Sequence, residues 1–299
     1  MNPSSPITPN AEQRTPNPPS GNAVFDRPRD FLENRFVYAV VSPRSRGLSV
    51  GVNLNPDRHC NFDCAYCEVS RTGPVRDQHL DVPTMVKELE HTLQLAQSGH
   101  LRNREGYQRC PPELLELKHV ALSGDGEPTL CANFRDALEA VVHLRASGRC
   151  PYFKIVLVTN ATGLDRPEVG RAVRLLKSTD EIWAKLDAGT QAYMDRVNRP
   201  DRPLEHVLAN ITALAKRRPV MIQSLFPALN GEVPDPAEIE AYLGRLREMK
   251  QASASIPLVQ IYSATRPTAQ SACGHLPLRV LSDIARRVRV ATGLTAEVF

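Results

Sequence analysis

Three cysteines fall within the stretch HCNFDCAYC, at Cys60, Cys64 and Cys67. Thiolates are soft ligands suited to zinc and to iron-sulfur clusters. Clustered thiols in a chain without a recognisable secretion signal point to metal chemistry rather than to a disulfide framework. A structural zinc site closes its shell with four protein ligands, and His59 stands awkwardly beside Cys60 for that role. A cubane cluster held by three cysteines keeps one iron open, and an open iron can bind a molecule that reacts. The other cysteines, Cys110, Cys131, Cys150 and Cys273, lie far apart and read as small buried hydrophobes or idle thiols.

A second set of residues sits further along the chain. LSGDGEPTL contains Gly124, Asp125, Gly126 and Glu127. Two glycines permit a tight turn whose backbone approaches a ligand closely, and Glu127 adds a carboxylate able to accept from an ammonium group. An ordinary β-turn is the bland alternative. LVTNATG offers Thr159 and Asn160, and AKLDAGT offers Lys185, Asp187 and Thr190 as polar ligands for hydroxyls or a carboxylate. Helix capping competes for Asp187 and Thr190. Gln223 or Ser224 in MIQSLF, with Gln260, Tyr262 and Arg266 in QIYSATRP, complete the candidates. For the two glutamines a sheet-facing role is the plainer reading, whereas Arg266 suits a carboxylate or phosphate.

These residues need a scaffold. The chain has 299 residues, 41% hydrophobic and 23% charged, with a net charge of +4. That is long enough for a sizeable core, and no apolar run approaches the ~20 residues of a membrane span. The basicity is too slight to argue for a nucleic-acid partner. Residues 1–22 are rich in Pro, Ser and Asn and are expected to form a loose tail. Residues 23–299 are expected to be one domain, with the cysteine loop at 59–68, in a reducing, cytoplasmic setting.

From Leu48 onward, short apolar runs alternate with segments of helical period. LSVGVNL, LKHVALSG, FKIVLVTN, EIWAKLD, VMIQSLF and LVQIYS read as strands. Helices are expected after each of them, and TAEVF reads as a short extra strand. The best-marked helix begins at Asp235, with Pro236 in its first position and Glu238 completing a capping box. Six β/α units in series fit a doubly wound sheet or an incomplete barrel, and both place function on loops at the carboxyl ends of the strands.

CxxxCxxC with Tyr66 before the last cysteine resembles the fingerprint of the radical S-adenosylmethionine superfamily. CNFDCAYC, SGDGEPT, VTN, KLDAGT, NRP and QIYSATRP occur in the order seen in its subgroup related to the wyosine-base-forming enzymes. The resemblance runs from about Val40 to the C-terminus. It implies an α/β fold, an incomplete (β/α)6 TIM-like barrel. It also implies a [4Fe-4S] cluster on Cys60, Cys64 and Cys67, and S-adenosylmethionine bound near Tyr66, Gly124, Asp125, Gly126, Glu127, Asn160, Lys185 and Asp187. The implied activity is reductive cleavage of S-adenosylmethionine to a 5'-deoxyadenosyl radical that abstracts hydrogen from a substrate. An electron donor such as flavodoxin or ferredoxin is implied as partner. Asp125 replaces the usual first glycine of the superfamily's Gly-Gly-Glu triplet. The tRNA-modifying members carry an additional cysteine set ahead of the motif, and no cysteine precedes Cys60 here. Activation of a partner protein's glycyl radical, tRNA base modification, an iron-sulfur electron carrier and a zinc-stabilised binding module remain as alternatives.

Overall fold

The structure, a computed structural model, describes residues 31–265, 268 and 273–299. The expected tail at 1–22, the domain start near Ala23, and Arg266 lie outside those residues.

The elements in chain order are β1 (Val37–Ser42), β2 (Gly47–Asn53), α1 (Val82–Gln97), β3 (Leu117–Ser123) and α2 (Phe134–Ala146). Then come β4 (Lys154–Thr159), α3 (Pro167–Val173), β5 (Glu181–Lys185), α4 (Gln191–Val197) and α5 (Leu204–Ala215). The chain continues through β6 (Met221–Leu225), β7 (Ala228–Leu229), α6 (Pro236–Gln251), β8 (Val259–Tyr262), β9 (Cys273–Gly274), α7 (Leu278–Thr292) and β10 (Ala296–Val298). Eight strands form one sheet in the order β1-β2-β3-β4-β5-β6-β8-β10. All neighbours pair in parallel except β1, which runs antiparallel to β2. The six expected strands are β2, β3, β4, β5, β6 and β8, and the extra strand at the C-terminal end is β10. Sequence reasoning missed β1, α4 and the two-residue ribbon of β7 with β9.

Side-chain alternation divides the sheet into two faces. One face carries Val50, Val52, Val120, Leu122, Ile155, Leu157, Ile182, Ala184 and Ile222 into a core shared with the helices. Burying this stripe orients each helix, because α1 brings Met85, Leu89 and Leu93 to it and α7 brings Leu281, Ile284 and Val288. The other face is polar in its depth. Ser49 Oγ lies 2.9 Å from His119 Nε2, the His119 ring meets Trp183 edge-on at 5.3 Å, and Gln223 donates to Gln260 at 2.8 Å. The sheet curls around this polar face. Arg46, on the β1–β2 turn, pairs with Glu297 of β10 at 3.0 Å, and Arg44 stacks over the Tyr262 ring at 4.4 Å. The two edges of the sheet therefore approach each other through side chains without strand pairing, which makes an incomplete barrel.

Local signals start the helices. Asp81 accepts from Thr84 N at 2.9 Å to cap α1, and Asp235 accepts from Ala237 N at 2.7 Å to cap α6. The capping box expected at Asp235 is only half formed. Glu238 turns away from the helix start and accepts from the Gly189 N–H and the Thr190 hydroxyl. It ties α6 to the loop after β5, a demand that outweighs the local one.

Candidate functional site

The loops that follow β2, β3, β4, β5 and β8 surround one cavity of about 490 Å³, within the usual range for ligand pockets. Its wall includes Cys60, Cys64, Cys67, Tyr66, Gly124, Gly126, Glu127, Asn160, Lys185 and Tyr262. Residues spread over two hundred positions of sequence thus meet at the carboxyl ends of the strands.

The cysteine loop is braced from three sides. Ala65 N donates to Val197 O at 2.7 Å and Asp63 N to Asn198 O at 3.0 Å, which seats the loop on the end of α4. Arg71 donates to the Cys60 carbonyl at 3.2 Å and to the Phe62 carbonyl. Glu127 N donates to His59 O at 3.0 Å, joining the loop to the turn after β3. That last contact explains Gly126. A Cβ there would fall 1.9 Å from the His59 carbonyl oxygen, so the glycine allows the two backbones to touch. Gly124 has φ of 152° and meets the Asn53 side chain in the same way, a conformation that favours glycine.

Glu127 is buried, and its two oxygens are already engaged. Oε1 accepts from Thr129 N at 3.1 Å, Thr129 Oγ1 at 2.6 Å and Thr159 Oγ1 at 2.5 Å. Oε2 accepts from Asn160 N at 2.7 Å. Burial raises its carboxyl above the ordinary range, against these donors, which favour the charged form. Glu127 fastens the end of β3 to the end of β4, and the spare acceptor position on Oε2 is what it can offer a ligand. Asn160 donates to Asn61 Oδ1 at 2.9 Å, so its amide also braces the cysteine loop.

Asp187 lies beneath the cavity wall. It accepts from the Tyr66 hydroxyl, from Asn198 Nδ2 at 2.8 Å and from Leu225 N at 2.8 Å. Asn198 Nδ2 is also 3.1 Å from the Tyr66 oxygen and 3.5 Å from Cys64 Sγ. Asn198 is the residue that sequence reasoning passed over, although it opens the NRP stretch. Lys185 Nζ donates to the Tyr262 hydroxyl at 3.0 Å and lies 3.6 Å from Asp187 Oδ1. Burial works against its ammonium, but Asp187 and Tyr262 outweigh it and hold the group above its ordinary value.

The remaining candidate residues take other places. Asp125 is held by Asn53 through bonds of 2.9 and 3.0 Å and lines a separate cavity with Arg35 and Arg58. Its direction follows from Asn53, which engages both its backbone and its carboxylate. Thr190 caps α4, accepting from Tyr193 N at 3.2 Å, whereas Asp187 caps no helix. Gln223 and Gln260 satisfy each other deep in the barrel, and Ser224 faces Tyr242 of α6 at 2.6 Å. Cys110 and Cys150 are buried and the other two outlying cysteines are half-buried.

The donor set can be tested against an iron-sulfur cluster. Cys60 and Cys64 pack against the core beside buried Phe62 and Tyr66, so the wall is apolar around these sulfurs. Burial pushes the Cys64 thiol up to about 12, opposed by the Asn198 amide and the Lys185 charge. A metal that takes such a sulfur must displace its proton. Among the described residues no group of three or more His, Cys, Asp or Glu side chains is arranged to hold a single metal ion. A cluster makes a different demand, since each thiolate binds its own iron. Three soft donors along one cavity wall fit that demand.

The fold is an incomplete α/β barrel, shared with solved structures of low sequence identity. Among solved structures it is similar to Streptococcus suis SuiB bound to S-adenosylmethionine, with a TM-score of 0.58 at 14% identity over 85% of this chain and 51% of that one. TYW1 with a lysine-pyruvate adduct bound gives a TM-score of 0.54 at 13% identity, covering 85% of this chain and 84% of that one. In sequence, the chain is 29% identical over 180 residues to a UPF0026 protein of Synechocystis sp., covering 58% of this chain and 57% of the relative. The chain spans little more than half the length of the curated relatives it matches first. No family model matches. No helix among the described residues is long and apolar enough to cross a membrane.

Proposed function

We propose that this chain is a radical S-adenosylmethionine enzyme. The observation that carries the reading is the meeting of Cys60, Cys64 and Cys67 with the Gly124–Glu127 turn on one cavity at the carboxyl ends of barrel strands. The likeness in fold to a structure bound to S-adenosylmethionine supports it.

Cys60, Cys64 and Cys67 are the residues that would hold a [4Fe-4S] cluster. Bound there, such a cluster would supply the electron for reductive cleavage of S-adenosylmethionine, the chemistry that would start hydrogen abstraction from a substrate. The protein's own residues have separate tasks. Gly126 and Glu127 set the distance between the cysteine loop and β3, and the spare Oε2 position of Glu127 is available to an ammonium group. Asn160 stands at the end of β4 as a polar contact for the nucleoside portion. Asp187 and Asn198 hold Tyr66 and the Cys64 sulfur in place. Phe62 and Val69 keep water from the thiol wall. The electron donor is proposed to be a flavodoxin or ferredoxin.

Anaerobic reconstitution followed by iron and sulfide analysis and an assay for 5'-deoxyadenosine tests this reading. The expected result is about four irons and four sulfides per chain, with 5'-deoxyadenosine formed on reduction. Zinc alone would favour a stabilised binding module, and a cluster with no 5'-deoxyadenosine would favour an electron carrier. Either result would overturn the proposal.

A further inference from the structure

We infer that Arg44 is the substrate-recognition cation of this cavity, and that the substrate presents an oxyanion, carboxylate or phosphate, to it. The inference rests on the reading of the cysteine wall given above.

Among the described residues, two cations line the cavity, Lys185 and Arg44. The charge of Lys185 is committed to Asp187 at 3.6 Å and its N–H to the Tyr262 hydroxyl. Arg44 is different. It comes from the β1–β2 turn, where sequence reasoning found nothing, and curls back over the ring of Tyr262 at 4.4 Å. Stacking on an aromatic face fixes the plane of a guanidinium while leaving its N–H edge free to donate. Arg44 makes no ion pair or hydrogen bond with the described residues, and its Nε is buried without a partner. A buried donor left unsatisfied is costly. Other enclosed arginines here are satisfied differently. Arg145 forms two bonds to Asp180, at 2.6 and 3.1 Å, and Arg218, whose Nε is likewise without a partner, donates from both terminal nitrogens to four backbone carbonyls.

Neither carboxylate side chain on the described wall, Glu68 or Glu127, pairs with Arg44. Glu127, a carboxylate on the same cavity, is buried and engaged by four donors. Ser42 stands on the wall two residues before Arg44, and a hydroxyl complements a guanidinium around an oxyanion. The charge of Arg44 is felt inside the barrel, where burial first, and then Lys154 and Arg44, keep His119 from protonating. A guanidinium forks onto a carboxylate or phosphate through two parallel N–H bonds. The thiols and Arg44 lie on the same cavity, so an anionic group at Arg44 positions the rest of the substrate toward the thiol wall.

The test uses the cluster-reconstituted full chain under anaerobic conditions. Inorganic phosphate and acetate are titrated separately, with and without S-adenosylmethionine, and line broadening of the phosphorus or labelled-carbon resonance reports binding. Wild type is compared with Arg44→Ala and Arg44→Lys, with circular dichroism as the folding check. At least one probe is expected to bind wild type. Arg44→Ala should weaken it at least tenfold, and Arg44→Lys should fall between. The probe that responds assigns carboxylate or phosphate. Binding that is absent in wild type, or equal in wild type and Arg44→Ala, overturns the inference. Loss of S-adenosylmethionine binding in Arg44→Ala would move Arg44 to that cofactor's own carboxylate and also overturn it. Failure of wild type to bind S-adenosylmethionine strikes the proposed function instead, and the titrations without it still judge Arg44.

Discussion

Replacing Gly126 by alanine is expected to separate the two halves of the site. The added Cβ would stand 1.9 Å from the His59 carbonyl oxygen and 2.6 Å from its carbonyl carbon. Both obstacles are backbone, so no rotamer change relieves the clash, and the turn after β3 must move away from the cysteine loop. Overpacking of this kind costs roughly 1–3 kcal/mol, with the hydrogen bond from Glu127 N to His59 O weakened as well. For a chain of this size each kcal/mol lowers Tm by about 2–4 °C, so a fall of several degrees is expected by calorimetry. Iron retained after reconstitution should fall with it, because the loop bearing Cys60 is displaced. Gly170→Ala is the control. It lies within α3 with nothing within 4 Å of its added Cβ, so alanine there should raise stability by about 0.5–1 kcal/mol. A Gly126→Ala protein with unchanged Tm and full iron content would refute the contact between turn and loop.

Asn198→Ala leaves Asp187 and Tyr66 without a shared donor and is expected to cost about 1–3 kcal/mol, measured by urea unfolding; no loss would mean that the network does not carry load. Asp180→Asn removes the buried partner of Arg145 and is expected to cost ~3–5 kcal/mol. Burial opposes ionisation of Asp180, but Arg145 and the backbone donors of Ile155 and Lys177 hold it below its ordinary value. Its contribution is therefore present above the usual carboxylate range and lost as pH falls through the folded-state value. His119 gives a different acid dependence. Burial, with Lys154 and Arg44, lowers it from 6.5 to about 3, so the unfolded chain takes up a proton that the folded chain refuses. Stability should fall as pH drops below 6.5, by about 1.4 kcal/mol at pH 5.5 from this group. His119→Gln should flatten that slope in urea titrations at pH 7.5 and 5.5, and an unaltered slope would contradict the burial argument.

The parts of the fold legible in sequence are those written in local patterns. β2 is buried along its whole length and reads as an apolar run, the helices repeat at 3.6 residues, and Asp235 and Pro236 mark a helix start. CNFDCAYC and SGDGEPT fell directly after strands, which located the cavity before its walls were known. What stayed hidden depends on distant partners. VYAVVS becomes β1 only through its antiparallel register with β2. Glu238 looks like half of a capping box until Gly189 and Thr190 approach from the end of β5. Asn198 opens the NRP stretch, but its role appears only when α4 sets it under Cys64. Arg44 sits in an ordinary turn and matters because the sheet curls enough to bring Tyr262 beneath it. Asp125 and Glu127 are two positions apart, yet one faces a separate cavity and the other is fastened to β4.

The central claim is that three cysteines hold a cluster with one iron left for S-adenosylmethionine. Electron paramagnetic resonance of the reduced, reconstituted protein tests it directly. Adding S-adenosylmethionine should shift the g values of the cluster signal, because a new ligand reaches an iron. A spectrum unchanged by saturating S-adenosylmethionine would contradict the account.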